Sequence, residues 1–438
     1  MSKLRVFRAA ILHLLDDPKQ SLTSDIAAVQ YFSDGLLLVR DGLVEKVGHT
    51  PDLLSSLPVD CEIIHFPEHL IIPGLIDTHI HYPQTDMIAA FGERLLEWLE
   101  IYTFPTESQF GDETHAAEVA AFFLDELLRQ GTTTALVFGT VHPASVNAFF
   151  KAAQARRLRM IAGKVMMDRN CPAYLQDTPD SAYADSKALI DQWHGKDRLL
   201  YAVTPRFAPT SSDAQLAKAG QLLHEYPDVY LHTHVAENQD EVAWVAELFP
   251  KSRSYLDVYH QHQLLKPRSV LAHSIYLDQA DRDCMAQTGA AAAFCPCSNL
   301  FIGSGLFNLK AMQDSGVRVG LGSDVGGGDS FSLLQATNNA YKVLQLQNQK
   351  LSAWQALYLA TLGGARALYL DDKLGNFLPN KEADFVVLNG KGTPLLERRL
   401  AKAQSLHEKL FALLMLADDR SISATYILGE EAYCNPNT

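Results

Sequence analysis

The chain has 438 residues, of which 47% are hydrophobic and 20% are charged, close to ordinary globular usage. This composition excludes a disordered or collagen-like chain, and the length is sufficient for a large core. The formal net charge of -14, from 37 Lys and Arg against 51 Asp and Glu, disfavours a nucleic acid or membrane partner and favours a small-molecule substrate.

Both ends of the chain are rich in predicted β-strand. Strand-like runs separated by Asp-Gly and Pro signals occur at 36–39, 43–47, 62–65, 383–388 and 423–428. Two β-rich ends that flank a different middle predict a small, β-sandwich-like domain assembled from residues 1–70 and 376–438. Residues 396–416 are predicted to form one further helix.

The middle of the chain, residues 71–375, alternates short apolar runs with helix-like stretches. One such stretch, 113–130, carries an apolar stripe and is followed by Gly131 as a helix C-cap. Alternating strands and helices imply parallel βαβ units, and eight units predict an α/β fold of the (β/α)8 TIM-barrel type. The eight predicted strands are 70–77, 132–138, 160–166, 199–207, 229–235, 269–273, 291–295 and 317–323. The long connection at 82–112 is predicted to be a lid or substrate loop.

Six cysteines in the whole chain are too sparse for a disulfide scaffold. The closest pair, Cys295 and Cys297, is interpreted as two reduced thiols rather than as a redox or metal-binding pair. No apolar run reaches the roughly 18 residues that span a bilayer, and the N-terminal stretch lacks the features of a signal peptide. We therefore expect a cytoplasmic protein.

Residues that can bind a metal ion fall at the ends of four predicted barrel strands. His79 and His81 are two apart on a strand, so both imidazoles project from one face. His234, His273 and Asp324 end the fifth, sixth and eighth strands. Because chemistry in such a barrel sits at the C-terminal strand ends, the five residues together predict a metal site. Imidazoles with one carboxylate suit Zn²⁺ or Fe²⁺ and do not suit Mg²⁺ or Ca²⁺.

Acidic residues near this predicted site are candidates for proton transfer. Glu237, three residues after His234, is predicted to be the proton shuttle, and Asp324 is predicted to accept the proton of the attacking water as well as to bind the metal. The alternative for Glu237 is an acid in the first turn of a helix, stabilised by the helix dipole. His232 is interpreted as a core-facing polar residue. The fourth strand ends without the Lys of two-metal sites, so one metal ion per chain is favoured.

Several motifs resemble the amidohydrolase superfamily of metal-dependent hydrolases. The run PGLIDTHIH at 73–81 follows a β-rich start, and the segment 375–385 is similar to the point where such chains re-enter the small sheet domain. More narrowly, the motifs at 81–84, 95–107, 204–209 and 300–305 resemble the guanine deaminase branch of that superfamily.

The resemblance implies a zinc deaminase that uses His79, His81, His234, His273 and Asp324 as metal ligands and Glu237 as proton shuttle. Gln84, Arg206 and Phe207 match the purine-contacting positions. An amide can pair with the ring edge, Arg can hold the O6 or N7 acceptors, and Phe can stack on the base. The alternative for Arg206 is a buried salt bridge. Trp98 is expected either to close over the ring or to pack in the core.

The implied reaction is hydrolytic. Water attacks C2 of guanine, Glu237 protonates N3 and then assists the exocyclic amine to leave as ammonia, and the product is xanthine. The expected cofactor is one Zn²⁺ per chain, with Fe²⁺ as the alternative, and a homodimer is an open alternative to a monomer. The rival functions are deamination of another amine-bearing heterocycle on the same barrel and a non-enzymatic scaffold of the same fold.

Overall fold

Parallel strands and helices alternate through the middle of the chain in this computed structural model, which describes residues 3–23, 26–58, 60–92 and 95–436. The strands are β1 (Leu4–Leu14), β2 (Val29–Arg40), β3 (Leu43–His49), β4 (Ile63–Pro73), β5 (Leu75–His81), β6 (Thr132–Phe138), β7 (Arg159–Gly163), β8 (Val165–Met166), β9 (Leu200–Pro205), β10 (Tyr230–Val235), β11 (Ser269–His273), β12 (Ala291–Phe294), β13 (Arg318–Leu321), β14 (Phe385–Asn389), β15 (Ile422–Ile427) and β16 (Glu430–Cys434).

Helices connect most of these strands. The α-helices are α1 (Thr50–Leu54), α2 (Leu95–Trp98), α3 (Phe104–Ser108), α4 (Glu113–Arg129), α5 (Pro143–Ala155), α6 (Pro179–Trp193), α7 (Asp213–Glu225), α8 (Gln239–Leu248), α9 (Tyr255–Gln261), α10 (Gln279–Thr288), α11 (Pro296–Phe301), α12 (Leu309–Asp314), α13 (Leu333–Gln345), α14 (Ala353–Ala360), α15 (Leu362–Ala367), α16 (Pro394–Leu400) and α17 (Leu406–Leu416). Within the described ranges, no helix is long and apolar enough to cross a membrane.

Eight parallel strands form the barrel, in the order β5, β6, β7, β9, β10, β11, β12 and β13, with the short β8 pairing to β9. The first and last strands approach each other where the Thr78 hydroxyl donates to the Leu321 carbonyl at 2.8 Å. Just beyond, the Asp324 amide donates to the His79 carbonyl at 2.9 Å. The prediction of a (β/α)8 barrel is confirmed.

The two chain ends form a separate seven-stranded sheet, in the order β16, β15, β14, β4, β1, β2 and β3. Its interior is aromatic: the rings of Phe385 and Tyr426 stack with centroids 4.5 Å apart, and Phe7 meets Phe385 edge-on at 4.9 Å. The predicted sheet domain from both chain ends is therefore confirmed. Its predicted boundaries, 1–70 with 376–438, stay a prediction, as does 71–375 for the barrel.

Buried ion pairs join this sheet to the barrel. Arg159 and Arg198, from the barrel, both donate to the Glu382 carboxylate at 2.7 Å, and Arg198 also pairs with Asp384. Three of the four side chains are at most 10% exposed and the fourth, Glu382, is 12% exposed. Opposite charges this well shielded hold the two parts in one relative orientation.

Three points of the element prediction need correction. The first barrel strand, predicted at 70–77, runs instead from 75 to 81, because residues 70–73 pair within the chain-end sheet as part of β4. The single helix predicted over 396–416 is two helices, and the Ser405 side chain caps the second by accepting from the Glu408 amide. The strand β1 was not predicted at all.

Candidate active site

Four histidines and one aspartate meet at the C-terminal end of the barrel. Nε2 of His81 lies 3.2 Å from Nε2 of His79 and 3.2 Å from Nε2 of His234. Asp324 Oδ1 lies 3.1 Å from Nε2 of His79, and Asp324 Oδ2 lies 3.6 Å from Nε2 of His273. One nitrogen from each of His79, His81 and His234 and one oxygen of Asp324 all lie within 4.8 Å of one another. This spacing allows several of the side chains to bind a single ion.

Two of these imidazoles are oriented by hydrogen bonds at their other nitrogen. His234 Nδ1 donates to the Arg206 carbonyl at 2.7 Å, and His273 Nδ1 donates to the Asn299 side-chain oxygen at 3.0 Å. A proton on Nδ1 leaves a lone pair on Nε2, which is the form that binds a metal. The donors therefore fit a metal ion such as zinc or iron.

His79 has a different partner, because its Nδ1 lies 2.7 Å from Nε2 of His232. His232 is fully buried, consistent with the interpretation that it faces the core. Burial lowers the pKa of His81 to about 3, and it also lowers the pKa of His79 and His234. These three imidazoles are therefore neutral at neutral pH, as metal binding requires.

The two cysteines near the strand end are buried and carry no disulfide. Burial raises the pKa of Cys297 to about 12 and raises that of Cys295 well above its ordinary value. Cys295 lies near His79, His273 and Asp324. Because its thiol stays protonated, it is a poorer ligand than the imidazoles, in keeping with its interpretation as a reduced thiol.

Glu237 lies between β10 and α8, and α8 begins only at Gln239. Its Oε1 accepts a hydrogen bond from the Ser304 hydroxyl at 2.8 Å, and its Oε2 lies 3.3 Å from Nε2 of His273. Burial, with the charge of Asp324, raises the pKa of Glu237 to about 8. The carboxyl group is thus held beside the histidine cluster and carries a proton at neutral pH.

A cavity of about 400 Å³ opens over this cluster. Its lining comprises His81, Gln84, Leu95, Trp98, Leu99, Arg206, Phe207, His234, Glu237, His273, Ile302, Asp324 and Gly327. All the residues predicted to contact substrate are among them. The long connection after the first barrel strand therefore contributes Trp98 to the pocket of its own chain.

Besides Asn299 and Ser304, a third supporting residue of this region was not predicted from the sequence. Glu107, on α3, is fully buried, and its carboxylate accepts from Arg206 Nη1 at 3.0 and 2.8 Å and from Gln84 Nε2 at 3.0 Å. Arg206 therefore both forms a buried salt bridge and lines the cavity. The one indication in the sequence was an acid at the end of the motif 103–107.

A barrel with imidazoles and a carboxylate gathered at its C-terminal end defines the class of barrel hydrolases that use a metal ion. The Amidohydrolase family matches residues 70–432. This chain belongs to the amidohydrolase family.

Its relatives include several proteins of one activity. It is 52% identical to guanine deaminase from Escherichia coli (strain K12) over 97% of this chain and 95% of that one. It is 41% identical to probable guanine deaminase from Deinococcus radiodurans over 97% and 98% of the two chains. The solved structure of guanine deaminase from C. acetobutylicum with guanine in its active site superposes with a TM-score of 0.88, at 27% identity, over 98% of this chain and 100% of that one.

Proposed function

We propose that this protein hydrolyses guanine to xanthine and ammonia. The observation that carries the proposal is the single cavity in which the histidine cluster, Glu237 and the predicted purine-contacting residues meet. The likeness to guanine deaminases over nearly the whole chain supports it. A cytoplasmic location and a homodimer stay predictions.

The proposed metal ligands are His79, His81, His234, His273 and Asp324, and the proposed ion is one zinc per chain, with iron as the alternative. The convergence of nitrogen donors with one carboxylate supports this choice. When bound, such an ion acts as a Lewis acid and makes its water acidic enough to ionise near neutral pH.

The purine is held by three side chains. Phe207 offers a ring face for stacking, Gln84 and Arg206 offer amide and guanidinium groups to the base edge, and Trp98 covers the pocket from the long loop. Closing the pocket with apolar side chains excludes bulk water, which strengthens the polar contacts to the substrate.

Proton transfer falls to two acids. Asp324 accepts a proton from the attacking water. Glu237, which is protonated at neutral pH, donates its proton to N3 of the purine. The carboxyl then assists transfer of a proton to the exocyclic amine, which leaves as ammonia. Water adds at C2 and the C2–N bond breaks, so guanine and water give xanthine and ammonia.

The test is turnover by the purified, metal-loaded protein. Guanine, adenine, cytosine and guanosine are offered separately, and ammonia and the ultraviolet change are followed. We expect rapid conversion of guanine alone, lost with a chelator and restored by zinc, with iron compared in parallel. A fully metal-loaded protein that is silent on guanine would refute the proposal. Conversion of adenine or cytosine instead would identify a deaminase of another heterocycle. No turnover of any of the four compounds would favour a non-enzymatic scaffold.

A further inference from the structure

Glu107 lies behind the two polar side chains that line the proposed base-binding wall of the cavity. It lines no part of the cavity itself and is fully buried. Its two carboxylate oxygens nevertheless make hydrogen bonds to both Gln84 and Arg206. A buried carboxylate that makes hydrogen bonds to two cavity-lining residues, but does not line the cavity itself, suggests a role in fixing the orientation of those two side chains.

Glu107 binds Arg206 through a single nitrogen of its guanidinium. Both of its hydrogen bonds to Glu107 come from Nη1, and its guanidinium lies over the ring of Phe104, 5.5 Å from the centroid. Nε and Nη2 take no part in these bonds to Glu107. The guanidinium is rigid and planar and has only hydrogen-bond donors, so these contacts make Arg206 a fixed donor at the cavity wall.

Glu107 binds Gln84 at one end of its side-chain amide. A carboxylate can only accept, so the group that meets Glu107 must be the Nε2 amino group, and the carbonyl oxygen Oε1 lies at the opposite end. That oxygen occupies a space left by Gly326, where an added Cβ would lie 1.9 Å from Oε1. Gln84 lines the cavity and its amino group is bound to Glu107, so the amide group left to meet a ligand is the acceptor Oε1.

A competing partner makes Glu107 necessary for this orientation. Nε2 of Gln84 also lies 3.2 Å from Nδ1 of His81. If His81 binds a metal through Nε2, its Nδ1 carries the proton and favours the amide oxygen. The charge-assisted bond to Glu107 opposes that turn of the amide.

We propose that Glu107 is a positioning residue that makes the pocket select 6-oxopurines over 6-aminopurines. An acceptor from Gln84 beside a donor from Arg206 complements the N1–H donor and O6 acceptor of guanine. A 6-aminopurine presents the reverse pattern, with an acceptor at N1 and a donor at the 6-amino group. This inference rests on the proposed function and adds the origin of its selectivity.

The test compares two ligands of one pocket in the metal-loaded enzyme. The KM for guanine and the inhibition constant of 2,6-diaminopurine, which keeps the 2-amino group and reverses the donor and acceptor at N1 and position 6, are measured for wild type and for Glu107→Gln. We expect the KM for guanine to rise about 10- to 100-fold with a smaller change in kcat, while 2,6-diaminopurine binds as well or better. The ratio of the two constants then shifts at least about tenfold.

Glu382→Gln is the matched control, since Glu382 is also a shielded carboxylate paired with two arginines but lies at the junction with the chain-end sheet. It should lower stability and leave the ratio unchanged. Glu107→Asp, which keeps the charge but shortens the reach, should give an intermediate ratio and decides the matter if Glu107→Gln does not fold. A folded, metal-loaded Glu107 variant with the wild-type ratio would overturn the assignment. A wild-type enzyme inactive on guanine would instead overturn the proposed function.

Discussion

Replacing Glu237 by glutamine tests the proposed proton transfer most directly. The substitution keeps the size of the side chain and its ability to accept from the Ser304 hydroxyl, 2.8 Å away. It removes the acidic proton. Because its pKa is raised to about 8, the carboxyl is mainly in its protonated form at pH 7. General acid catalysis contributes about 10²–10⁴-fold, so kcat should fall by that factor, or about 3–5 kcal/mol in barrier height.

The assay separates chemistry from binding. Steady-state turnover of guanine gives kcat and KM, and elemental analysis gives the metal content of the same sample. We expect Glu237→Gln to retain its metal and its KM within a few-fold, about one order of magnitude at most. In the wild type, the acid form is lost as pH rises through about 8, so turnover should decline above that pH.

A milder variant calibrates the result. Ser304→Ala leaves the Glu237 carboxyl in place but removes the hydroxyl that orients it. Because the carboxyl is protonated, this hydrogen bond joins two neutral groups and contributes about 0.5–1.5 kcal/mol, so kcat should fall about 2- to 10-fold. Glutamine at position 237 with metal bound and turnover within tenfold of wild type would refute the proton-shuttle role.

Three other predictions concern the metal, the pocket and the core. Chelation should abolish turnover and lower the midpoint of thermal unfolding, because an ion present at about 1,000 times its Kd stabilises the fold by roughly 4 kcal/mol. Adding zinc should restore both turnover and the midpoint. An unchanged midpoint would contradict a bound ion. Gly326→Ala should raise the KM for guanine about tenfold or more, because the φ of Gly326 is +110° and the new Cβ would displace the Gln84 amide. Gly316→Ala is the control, since Gly316 has a φ of +81° and open space around it. Equal KM values for the two variants would contradict the prediction. Burial lowers the pKa of His13 to about 4, so the unfolded chain binds a proton at a higher pH than the folded one. The contribution of His13 to the free energy of unfolding is therefore fully present above pH 6.5 and decreases by roughly 3 kcal/mol as the pH falls toward 4. In urea titrations at a series of pH values, His13→Gln should weaken this loss of stability at acid pH. An unchanged loss would show that another group titrates.

The barrel and its candidate metal ligands could be predicted because both follow from local patterns. Each buried strand is a short apolar run, and the end of each run marks a fixed place in the barrel. The residues at these ends, such as His79 and Asp324, therefore share one face of the molecule whatever the loops between them do. The first strand was misjudged because β4 and β5 are adjacent apolar runs that belong to different sheets.

The supporting residues could not be predicted in the same way. Glu107, Asn299 and Ser304 lie on loops or short helices, where the side-chain direction depends on tertiary packing rather than on a repeating period. The motifs that contain Glu107 and Ser304 stood out by resemblance, yet nothing in their spacing relates them to Gln84 or Glu237. Those pairings require contacts across 23 and 67 positions of the chain.

The seam between the first and eighth barrel strands has a consequence for how the protein is made. There the Asp77 carboxylate accepts from the Ser323 amide, 246 positions later in the chain. A ribosome therefore releases His79 and His81 long before it adds Asp324. The growing chain carries two imidazoles with no carboxylate partner, and ions captured at that stage meet an incomplete site. The full set of candidate metal ligands therefore exists only after the last barrel strand has been synthesised.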